Sequence, residues 1–331
     1  MARRKRMADL TVLGTGAMLP SRTMTNMDLE KLVDTSDEWI TARTGIKTRR
    51  VAGPGEHTSE LAVGAARKAL DMAGVSADAL HMIIVATITP EVTMPSCACL
   101  VQDRLGASQA CAFDLSAACS GFLYGLDVAA QYVRNDPAKK ILVIGAETLS
   151  ARVDWQDRNT CILFGDGAGA AVVSGSEDPR SYFATELKVD GSLGPLLSMH
   201  AAPSRNPEIA FDDNDGSYIR MNGREVFRHA VRSMETAIHD LLQREHIAMT
   251  DIDLFIPHQA NIRILNQVRE RFVIPEDKVY LNVSKYGNTS AASVPIALDE
   301  ANRAGRISRG DLLLFCTFGG GFTWGAGLLR W

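Results

Sequence analysis

Ser116-Ala-Ala-Cys-Ser-Gly-Phe122 is the stretch of this 331-residue chain that decides its interpretation. These small residues run directly into a helical stripe of apolar side chains. The stripe consists of Phe122, Leu126, Ala129 and Val133. A cysteine at a helix N-terminus meets the positive end of the helix dipole, which lowers the pKa of the thiol and makes it more nucleophilic. The segment therefore predicts a reactive Cys119, and the alternative is a small buried side chain without chemistry.

Strands surround this helix, and the same order recurs in the second half of the chain. Short runs that are apolar throughout predict strands buried on both faces of a sheet. They lie at residues 10–13, 82–86, 141–144, 170–173, 254–256 and 312–315. A second helix begins in Asn288-Thr-Ser-Ala-Ala292, between the last two strands. Cys119 precedes Ile144 by 25 positions and Ser290 precedes Phe315 by 25. The pattern predicts an α/β fold built from two copies of one unit.

Composition narrows the range of functions. Lys and Arg number 35 against 39 Asp and Glu, a formal net charge of −4, which argues against a nucleic-acid partner. No apolar run approaches the ~18 residues of a membrane span, so no membrane partner is expected. Six cysteines without CxxC spacing predict neither a metal site nor disulfides and favour a reducing cytoplasm. Residues 1–7 are basic, but polar Asp9 follows too soon for a signal peptide, so a disordered leader is predicted.

Two polar residues and a glycine-rich turn lie where α/β proteins place their chemistry. His258, in Pro257-His-Gln-Ala-Asn261, follows a predicted strand, and Asn288 begins the second helix. The glycines of Phe318-Gly-Gly-Gly-Phe322 allow backbone N–H groups to approach a ligand closely, as an oxyanion hole requires. Each feature also has a simpler interpretation: a packed histidine, an N-cap asparagine and a tight turn. With Cys119 they form a candidate Cys/His/Asn group for nucleophilic catalysis.

In this combination the motifs resemble the β-ketoacyl-acyl carrier protein synthase III family. These are the initiating condensing enzymes of type II fatty acid synthesis and members of the thiolase superfamily. The matching segments are residues 14–16, 34–40, 43–46, 117–121, 164–169, 257–261, 287–293 and 319–325, so the resemblance covers essentially the whole chain. It implies a duplicated, thiolase-like, five-layered αβαβα fold, with an N-terminal half at residues 8–180 and a C-terminal half at residues 181–331.

The resemblance also implies roles for individual residues. Cys119 falls on the nucleophile of the family, and His258 and Asn288 fall on its other two active-site side chains. The implied oxyanion hole consists of the backbone N–H groups of Cys119 and Gly320. The implied coenzyme A contacts are Trp39, Arg43, Arg158, Gly223, Phe227 and Asn261.

Two positions depart from the pattern of the family. The family often carries Asn where Arg224 stands, beside the implied pantetheine contacts. Met94 stands where acetyl-specific members carry a bulky phenylalanine that closes the acyl pocket across the dimer. Because methionine is flexible, Met94 predicts room for a slightly larger primer.

The implied reaction is the decarboxylative Claisen condensation of a short acyl-CoA, acetyl-CoA first among them, with malonyl-acyl carrier protein. The implied enzyme is a cytoplasmic homodimer that needs no metal or redox cofactor. The acyl carrier protein is acidic, so a basic docking surface is expected. Its candidates are Arg263, Arg269 and Arg271 on a helix at residues 262–272, together with Arg228 and Arg224. The alternative is a solvated helix face.

Other functions fit fewer of the residues. A starter-unit ketosynthase or an acyltransferase of secondary metabolism is an alternative with related chemistry. A hydroxymethylglutaryl-CoA synthase-like enzyme would carry a catalytic glutamate in a matching motif, and none is found. A non-catalytic chain-length partner is disfavoured because Cys119, His258 and Asn288 are all present. An NAD(P)-dependent oxidoreductase would need a full GxGxxG after a strand, which Gly14-Thr-Gly16 and Phe164-Gly-Asp-Gly-Ala-Gly169 do not provide.

Overall fold

Two mixed β-sheets, one from each half of the chain, form the framework of the molecule. The computed structural model describes residues 9–200 and 218–331, and the elements given below are those of these ranges. The expected leader at residues 1–7 lies outside the described residues. The strands are β1 (Asp9–Met18), β2 (Arg22–Thr25), β3 (Thr48–Val51), β4 (Met82–Ala86), β5 (Cys111–Leu115), β6 (Lys140–Thr148), β7 (Asp166–Ser176), β8 (Phe183–Val189), β9 (Leu197–Met199), β10 (Ile219–Met221), β11 (Leu254–Pro257), β12 (Leu312–Gly319) and β13 (Thr323–Arg330).

Helices connect these strands. They are α1 (Asn26–Leu29), α2 (Asp37–Thr44), α3 (Thr58–Ala73), α4 (Cys97–Leu105), α5 (Gly121–Asn135), α6 (Arg158–Cys161), α7 (Gly223–Glu245), α8 (Ile262–Arg271), α9 (Val283–Tyr286) and α10 (Ser293–Arg303). Within the two described ranges, none of the helices has the length and apolar character needed to span a membrane.

The two sheets share one topology. The first has the order β1-β7-β6-β4-β5, with β4 parallel to β5 and β6, and with β7 antiparallel to β6 and β1. The second has the order β8-β13-β12-β11, with β11 parallel to β12, and with β13 antiparallel to β12 and β8. A parallel bridge between Phe255 and Val279 stands where the first sheet has β5. The predicted duplication of one α/β unit is confirmed.

The two pairs of parallel strands have the same register. Met82 of β4 pairs with Ile141 of β6. In the second half, Leu254 of β11 pairs with Leu313 of β12, and these two residues lie 172 positions after Met82 and Ile141. Both ladders join residues 59 positions apart, so this offset preserves the pairing of the strands.

The same offset relates the two short 3₁₀ turns that lead into α5 and α10. They span Ala118–Ser120 and Ser290–Ala292. Ser290 therefore corresponds to Ala118, and the pairing with Cys119 that equal spacing suggested is wrong by one residue. Ala118 and Ser290 also share a positive φ, +45° and +49°, so the backbone conformation of the turns identifies the equivalent residues.

Apolar side chains between the two sheets form the central layer. α5 and α10 lie there, and the side chains that they bury pack with inward-facing residues of both sheets. α3 and α4 cover the outer face of the first sheet, and α7 and α8 cover that of the second. This order is the five-layered αβαβα arrangement that the resemblance implies. The expected boundary between residues 180 and 181 falls between β7 and β8.

Glycine allows the two halves to touch at the centre of the molecule. A Cβ atom on Gly145, in β6, would lie 2.1 Å from the carbonyl oxygen of Ala291. No side chain fits at that distance, so β6 can approach the turn before α10 this closely only because residue 145 is glycine. The turn before α10 also contacts the turn before α5. The two helix N-termini therefore meet at one centre, as the repeat predicted.

Candidate active site

Cys119 lies in the 3₁₀ turn at the start of α5, and only 8% of the residue is exposed. Ala118 before it adopts a φ of +45°, a left-handed conformation that costs a non-glycine residue about 1–3 kcal/mol. The other half of the molecule holds this turn in place. The Thr323 hydroxyl donates to the Ala117 carbonyl at 2.9 Å, and the Ser120 hydroxyl donates to the Thr323 carbonyl at 3.2 Å. The position of the thiol therefore depends on β13 as well as on α5.

Burial dominates the acid–base chemistry of the Cys119 thiol. It raises the pKa of Cys119 to about 12, and the Ser290 hydroxyl opposes this shift while the Glu147 carboxyl adds to it. The lowered pKa that was expected for a thiol at a helix N-terminus is therefore contradicted. Burial is the largest cause of the raised pKa, because the thiolate is the form that hydration stabilises. The thiol must give up its proton in the course of a reaction.

His258 follows β11 and is almost fully buried. Its backbone N–H donates to the Cys316 carbonyl at 2.7 Å, which ties it to β12. Its Nδ1 lies 2.6 Å from the hydroxyl of Ser293, the first residue of α10. Burial lowers the pKa of His258 to about 3, so the imidazole is neutral at physiological pH. When Nδ1 accepts from Ser293, the ring carries its proton on Nε2, which is then a hydrogen-bond donor.

Asn288 is held through both its backbone and its side chain. Its N–H donates to the Leu163 carbonyl at 2.8 Å, and its carbonyl accepts from the Gly165 N–H at 3.0 Å. Its Oδ1 accepts from the Ser290 N–H at 2.8 Å. Because the oxygen is engaged by a backbone donor, the amide orientation is fixed and Nδ2 remains as a donor. The simpler interpretation as the N-cap of the second helix is wrong, because α10 begins at Ser293 and its N-cap is Ala292.

Cys119, His258 and Asn288 line one cavity of about 100 Å³. The structure therefore brings together the three side chains that the sequence assigned to one group. Most of the remaining wall is apolar. It includes Leu163, Phe164, Leu197, Val226, Met234 and Phe318. Such surroundings strengthen hydrogen bonds to a charge that develops during a reaction.

A second cavity, of about 520 Å³, also reaches Cys119 and has Gly320 in its wall. Gly319 makes this approach possible, because a Cβ atom there would lie 2.6 Å from the backbone nitrogen of Cys119. The Cys119 backbone and the glycine turn therefore share one wall. An oxyanion hole formed by the N–H groups of Cys119 and Gly320 requires this placement.

An open cleft of about 960 Å³ leads from the surface toward these cavities. Five of the expected coenzyme A contacts line it, namely Trp39, Arg43, Gly223, Phe227 and Asn261. The sixth, Arg158, holds its guanidinium 5.2 Å from the centre of the Trp39 ring, and Arg43 holds its own at 4.5 Å. Arg224 lines the cleft as well. Gly223, Phe227 and Asn261 also line the cavity of Cys119, so the cleft and the cavity adjoin each other.

The expected docking arginines do not form one separate surface. Arg263 lines the cleft itself, with its guanidinium 5.7 Å from the centre of the Phe227 ring. The other arginines of the group lie beside acidic side chains: Arg228 pairs with Glu225, Arg269 with Glu276, and Arg271 lies 3.9 Å from Glu235. Their positive charge is partly compensated, and Arg263 belongs to the cleft rather than to an independent helix face.

Met94 lines neither cavity within its own chain, although its neighbour Thr93 lines the cavity of about 520 Å³. It is 87% exposed, and it is not among the described residues that wall either cavity. A role in an acyl pocket requires that Met94 reach the site of a second subunit, as the resemblance implies. That role stays a prediction.

Two polar residues beside the site were not singled out from the sequence. Ser293, the partner of His258, ends the segment 287–293 that carries Asn288. Glu147 is fully buried near the end of β6, and its signal in the sequence is an acidic residue at the end of an apolar strand. Spacing along the chain predicts neither the contact of Ser293 with His258 nor the burial of Glu147.

Condensing enzymes of the thiolase superfamily are the class that this fold defines, because its paired central helices converge on a buried cysteine. Family models of 3-oxoacyl-[acyl-carrier-protein (ACP)] synthase III match residues 113–191 and, for the C-terminal part of the family, residues 242–331. A β-ketoacyl-[acyl-carrier-protein] synthase III of Desulfotalea psychrophila is 54% identical over 322 residues, which cover 97% of this chain and 99% of that protein. The chain belongs to the 3-oxoacyl-[acyl-carrier-protein] synthase III family.

Solved structures agree with this assignment. The crystal structure of the synthase III from Aquifex aeolicus is 51% identical, with a TM-score of 0.91 over 97% of this chain and 100% of that chain. The priming β-ketosynthase from the R1128 polyketide pathway is 36% identical, with a TM-score of 0.91 over 99% of this chain and 98% of that chain. The duplicated thiolase fold that the resemblance implied is confirmed.

Proposed function

We propose that the protein condenses a short acyl-CoA, with acetyl-CoA the expected primer, with malonyl-acyl carrier protein. The products are carbon dioxide, free coenzyme A and a 3-oxoacyl-acyl carrier protein, in the initiating step of type II fatty acid synthesis. The observation that carries this proposal is that the cleft of Trp39 adjoins the cavity of Cys119, His258 and Asn288, with Gly223, Phe227 and Asn261 in the walls of both. A coenzyme A thioester held in the cleft is proposed to direct its carbonyl carbon toward the sulfur.

The first half-reaction is acyl transfer to Cys119. Burial keeps the thiol protonated, because it raises the pKa of Cys119 to about 12, so the proton must leave as the sulfur attacks. The neutral imidazole of His258 lines the same cavity and is the proposed carrier of this proton. The C–S bond of the acyl-CoA breaks, and the departing coenzyme A sulfur takes the proton. The Ser293 hydroxyl suits both tautomers of His258, since a hydroxyl can accept from Nδ1–H or donate to Nδ1.

The second half-reaction is decarboxylation followed by carbon–carbon bond formation. As carbon dioxide leaves the malonyl group, negative charge develops on the thioester oxygen. Nε2–H of His258 and Nδ2–H of Asn288 are the proposed donors to this oxygen. The enolate carbon then attacks the acyl group on Cys119, and the N–H groups of Cys119 and Gly320 hold the new oxyanion. Collapse expels the Cys119 sulfur as a thiolate, which takes up one proton from the solvent, the proton that the overall reaction consumes. No metal or redox cofactor is required because decarboxylation itself generates the carbanion.

The hydroxyl of Ser293 is expected to matter for decarboxylation. In Ser293→Ala the buried Nδ1 of His258 loses its partner, and the ring is no longer held with its proton on Nε2. We expect the rate of malonyl-acyl carrier protein decarboxylation to fall about tenfold, which corresponds to the ~1–3 kcal/mol cost of an unsatisfied buried polar group. Ser293→Cys keeps a weaker donor of similar size, so its decarboxylation rate should lie between those of the parent protein and Ser293→Ala. Equal rates in all three proteins, measured as released carbon dioxide, would contradict the assigned contact.

The proposed assembly is a cytoplasmic homodimer. In the described part of the chain β5 is an edge strand of the first sheet, and an open strand edge is a template for pairing with a second copy. Such a dimer is also what the proposed role of the exposed Met94 in an acyl pocket requires. The cavity of about 520 Å³ beside Cys119 is the proposed place for the acyl chain of the primer.

The acidic carrier protein is proposed to dock on the rim of the cleft. Arg271→Glu reverses a charge outside the cleft on α8, so we expect the KM for malonyl-acyl carrier protein to rise about three- to tenfold while the KM for acyl-CoA stays unchanged. Arg263→Glu is expected to raise both KM values, because Arg263 also lines the cleft. Arg180→Glu, the same change at an arginine outside the cleft, is the control. An unchanged KM for malonyl-acyl carrier protein in Arg271→Glu would indicate that this face of α8 is only exposed to solvent and does not bind the carrier protein.

A panel of acyl-CoA primers, from acetyl-CoA to longer and branched chains, tests the function as a whole. Each primer is incubated alone, to score acylation of Cys119 by mass spectrometry, and then with malonyl-acyl carrier protein, to score condensation. We expect short primers to do both. Acylation without condensation for every primer would favour an acyltransferase, and a preference for longer primers would favour a starter-unit ketosynthase of secondary metabolism.

A further inference from the structure

Arg49 of β3 is a fully buried cation that the proposed reaction does not use. Its Nη1 donates to Oδ1 of Asn26 at 2.8 Å, and its Nη2 donates to the Ile162 carbonyl at 2.8 Å. Both acceptors are uncharged, and Nε has no hydrogen-bond partner among the described residues. Burial lowers the pKa of Arg49 to about 10, so the guanidinium stays charged at physiological pH. A buried charge without a counter-ion is costly to the fold, so its two contacts are the feature to be explained.

The Ile162 carbonyl belongs to a short segment, residues 162–165, that also holds Asn288. The Leu163 carbonyl accepts from the Asn288 N–H at 2.8 Å, and the Gly165 N–H donates to the Asn288 carbonyl at 3.0 Å. The two stretches of backbone form a parallel bridge at this point. The guanidinium and Asn288 therefore bind the same segment.

The aliphatic part of Arg49 packs against the same junction. A Cβ atom on Gly165 would lie 3.1 Å from the Cβ of Arg49, and one on Gly287, the residue before Asn288, would lie 3.7 Å from it. A Cβ atom on Gly287 would also lie 2.6 Å from the Leu163 carbonyl oxygen. The two backbones meet this closely because residues 165 and 287 are glycine, and Arg49 is a side chain that lies against both.

The chain around Arg49 also binds α9, the helix that leads into Asn288. The Lys47 N–H donates to the Ser284 carbonyl at 2.9 Å, and the Thr48 hydroxyl donates to the Lys285 carbonyl at 2.7 Å. Residues 47–49 therefore bind both the helix that precedes Asn288 and the segment that pairs with it.

Asn26 anchors the other end of the guanidinium. It is buried, and its Nδ2 donates to the Ile46 carbonyl at 2.8 Å and to Oδ1 of Asp37, the first residue of α2, at 2.8 Å. Because the amide nitrogen is engaged in this way, the orientation of the amide is fixed and Oδ1 faces Arg49 as an acceptor. Arg49 thus connects the segment at residues 162–165 to a fixed point in the first half of the chain.

We propose that Arg49 is a positioning residue for Asn288: its guanidinium holds the segment at residues 162–165, and with it the Asn288 amide in the cavity of Cys119. The inference rests on the proposed role of Asn288 as a donor to the enolate oxygen. Arg49 is not among the described residues that wall this cavity, so it acts through Asn288 and not on the substrate. A donor stabilises a developing oxyanion only from the right position, so a small displacement of Nδ2 lowers the rate.

The test is a double-mutant cycle of Arg49→Met and Asn288→Ala. Carbon dioxide released from malonyl-acyl carrier protein and acetyl groups transferred from acetyl-CoA to the protein are measured separately. Methionine fills much of the same space without a donor. We expect Arg49→Met to slow decarboxylation about ten- to 100-fold and to change acyl transfer less than about twofold. In the Asn288→Ala background the same change should slow decarboxylation no further, because the group that Arg49 positions is gone.

Arg49→Lys tests the same contact more conservatively. Lysine keeps the charge and a donor, but it lacks the planar fork that reaches both Asn26 and Ile162. Its decarboxylation rate should therefore lie between those of the parent protein and Arg49→Met. If Arg49→Met does not fold, Arg49→Lys takes its place in the cycle, with a smaller loss that also disappears in the Asn288→Ala background.

Arg134→Met is the matched control. Arg134 also donates to a backbone carbonyl, that of Phe183 at 2.6 Å, and it is not among the described residues that wall either cavity of Cys119. Both half-reactions should keep the parent rates in this variant.

A purely structural role of Arg49 would give a different pattern. Equal losses in both half-reactions of Arg49→Met, a loss of decarboxylation that is as large in the Asn288→Ala background, or no loss at all would each overturn the proposal. A parent protein that releases no carbon dioxide from malonyl-acyl carrier protein would instead refute the proposed function, and the inference with it. An active parent protein that loses decarboxylation in Asn288→Ala but not in Arg49→Met would refute the role of Arg49 alone.

Discussion

Cys119→Ser is expected to lower the rate of acyl transfer from acetyl-CoA by at least about 10³-fold. A serine hydroxyl is far less acidic than a thiol, and the buried site offers its conjugate base no more hydration than it offers the thiolate of Cys119. Decarboxylation of malonyl-acyl carrier protein should be retained in part, because its proposed donors are His258 and Asn288. A single variant would thus lose acyl transfer while it keeps part of the decarboxylation activity.

The measurement is the time course of label transferred from radiolabelled acetyl-CoA to protein, set beside the release of labelled carbon dioxide from malonyl-acyl carrier protein. Cys99→Ser, the same change at an exposed cysteine, is the matched control and should transfer acetyl groups at the parent rate. Condensation at the parent rate in Cys119→Ser would show that another group is the nucleophile.

Asn288→Ala is expected to slow decarboxylation by about 10²–10³-fold, as the loss of one donor to a developing oxyanion does in other enzymes. Acyl transfer should change little, because Asn288 Nδ2 has no proposed part in it. His258→Ala should affect both half-reactions, with the larger loss in decarboxylation, because His258 is proposed to move the thiol proton as well as to stabilise the enolate. The informative comparison is the loss of acyl transfer, which is expected in His258→Ala and not in Asn288→Ala.

Separate assays of acylation and of carbon dioxide release provide this comparison. The pH dependence gives a further check on His258. Burial lowers its pKa to about 3, so the ring stays neutral as the pH falls, and its protonation should cost no activity between about pH 8 and pH 5. Equal losses in the two half-reactions of Asn288→Ala would refute the division of roles.

Much of the site could be predicted from local sequence. Cys119 and Asn288 lie at the turns that lead into the two central helices, His258 lies at the end of a strand, and such boundaries depend mainly on nearby residues. The two sheets bring these turns into contact between them, which is why three distant residues line a single cavity. The coenzyme A contacts followed from resemblance, and the structure places five of them in one cleft.

The correspondence between the halves was predicted less well. Equal spacing paired Ser290 with Cys119, whereas the two 3₁₀ turns and the positive φ of their first residues pair it with Ala118. A left-handed residue that is not glycine has no signal in the sequence, so spacing alone missed the shift of one residue.

The sequence by itself determined that this is a duplicated α/β protein with a Cys/His/Asn group, because hydrophobic periodicity and the residues at helix starts express local preferences. Only the tertiary structure decided the protonation of that group. The helix dipole at Cys119 is a local effect and was foreseen, but the loss of hydration that raises the pKa of the thiol comes from both halves of the molecule. The contact of Ser293 with His258 belongs to the same category. It forms where two central helices meet between two sheets, and desolvation there depends on atoms that the chain brings together only on folding.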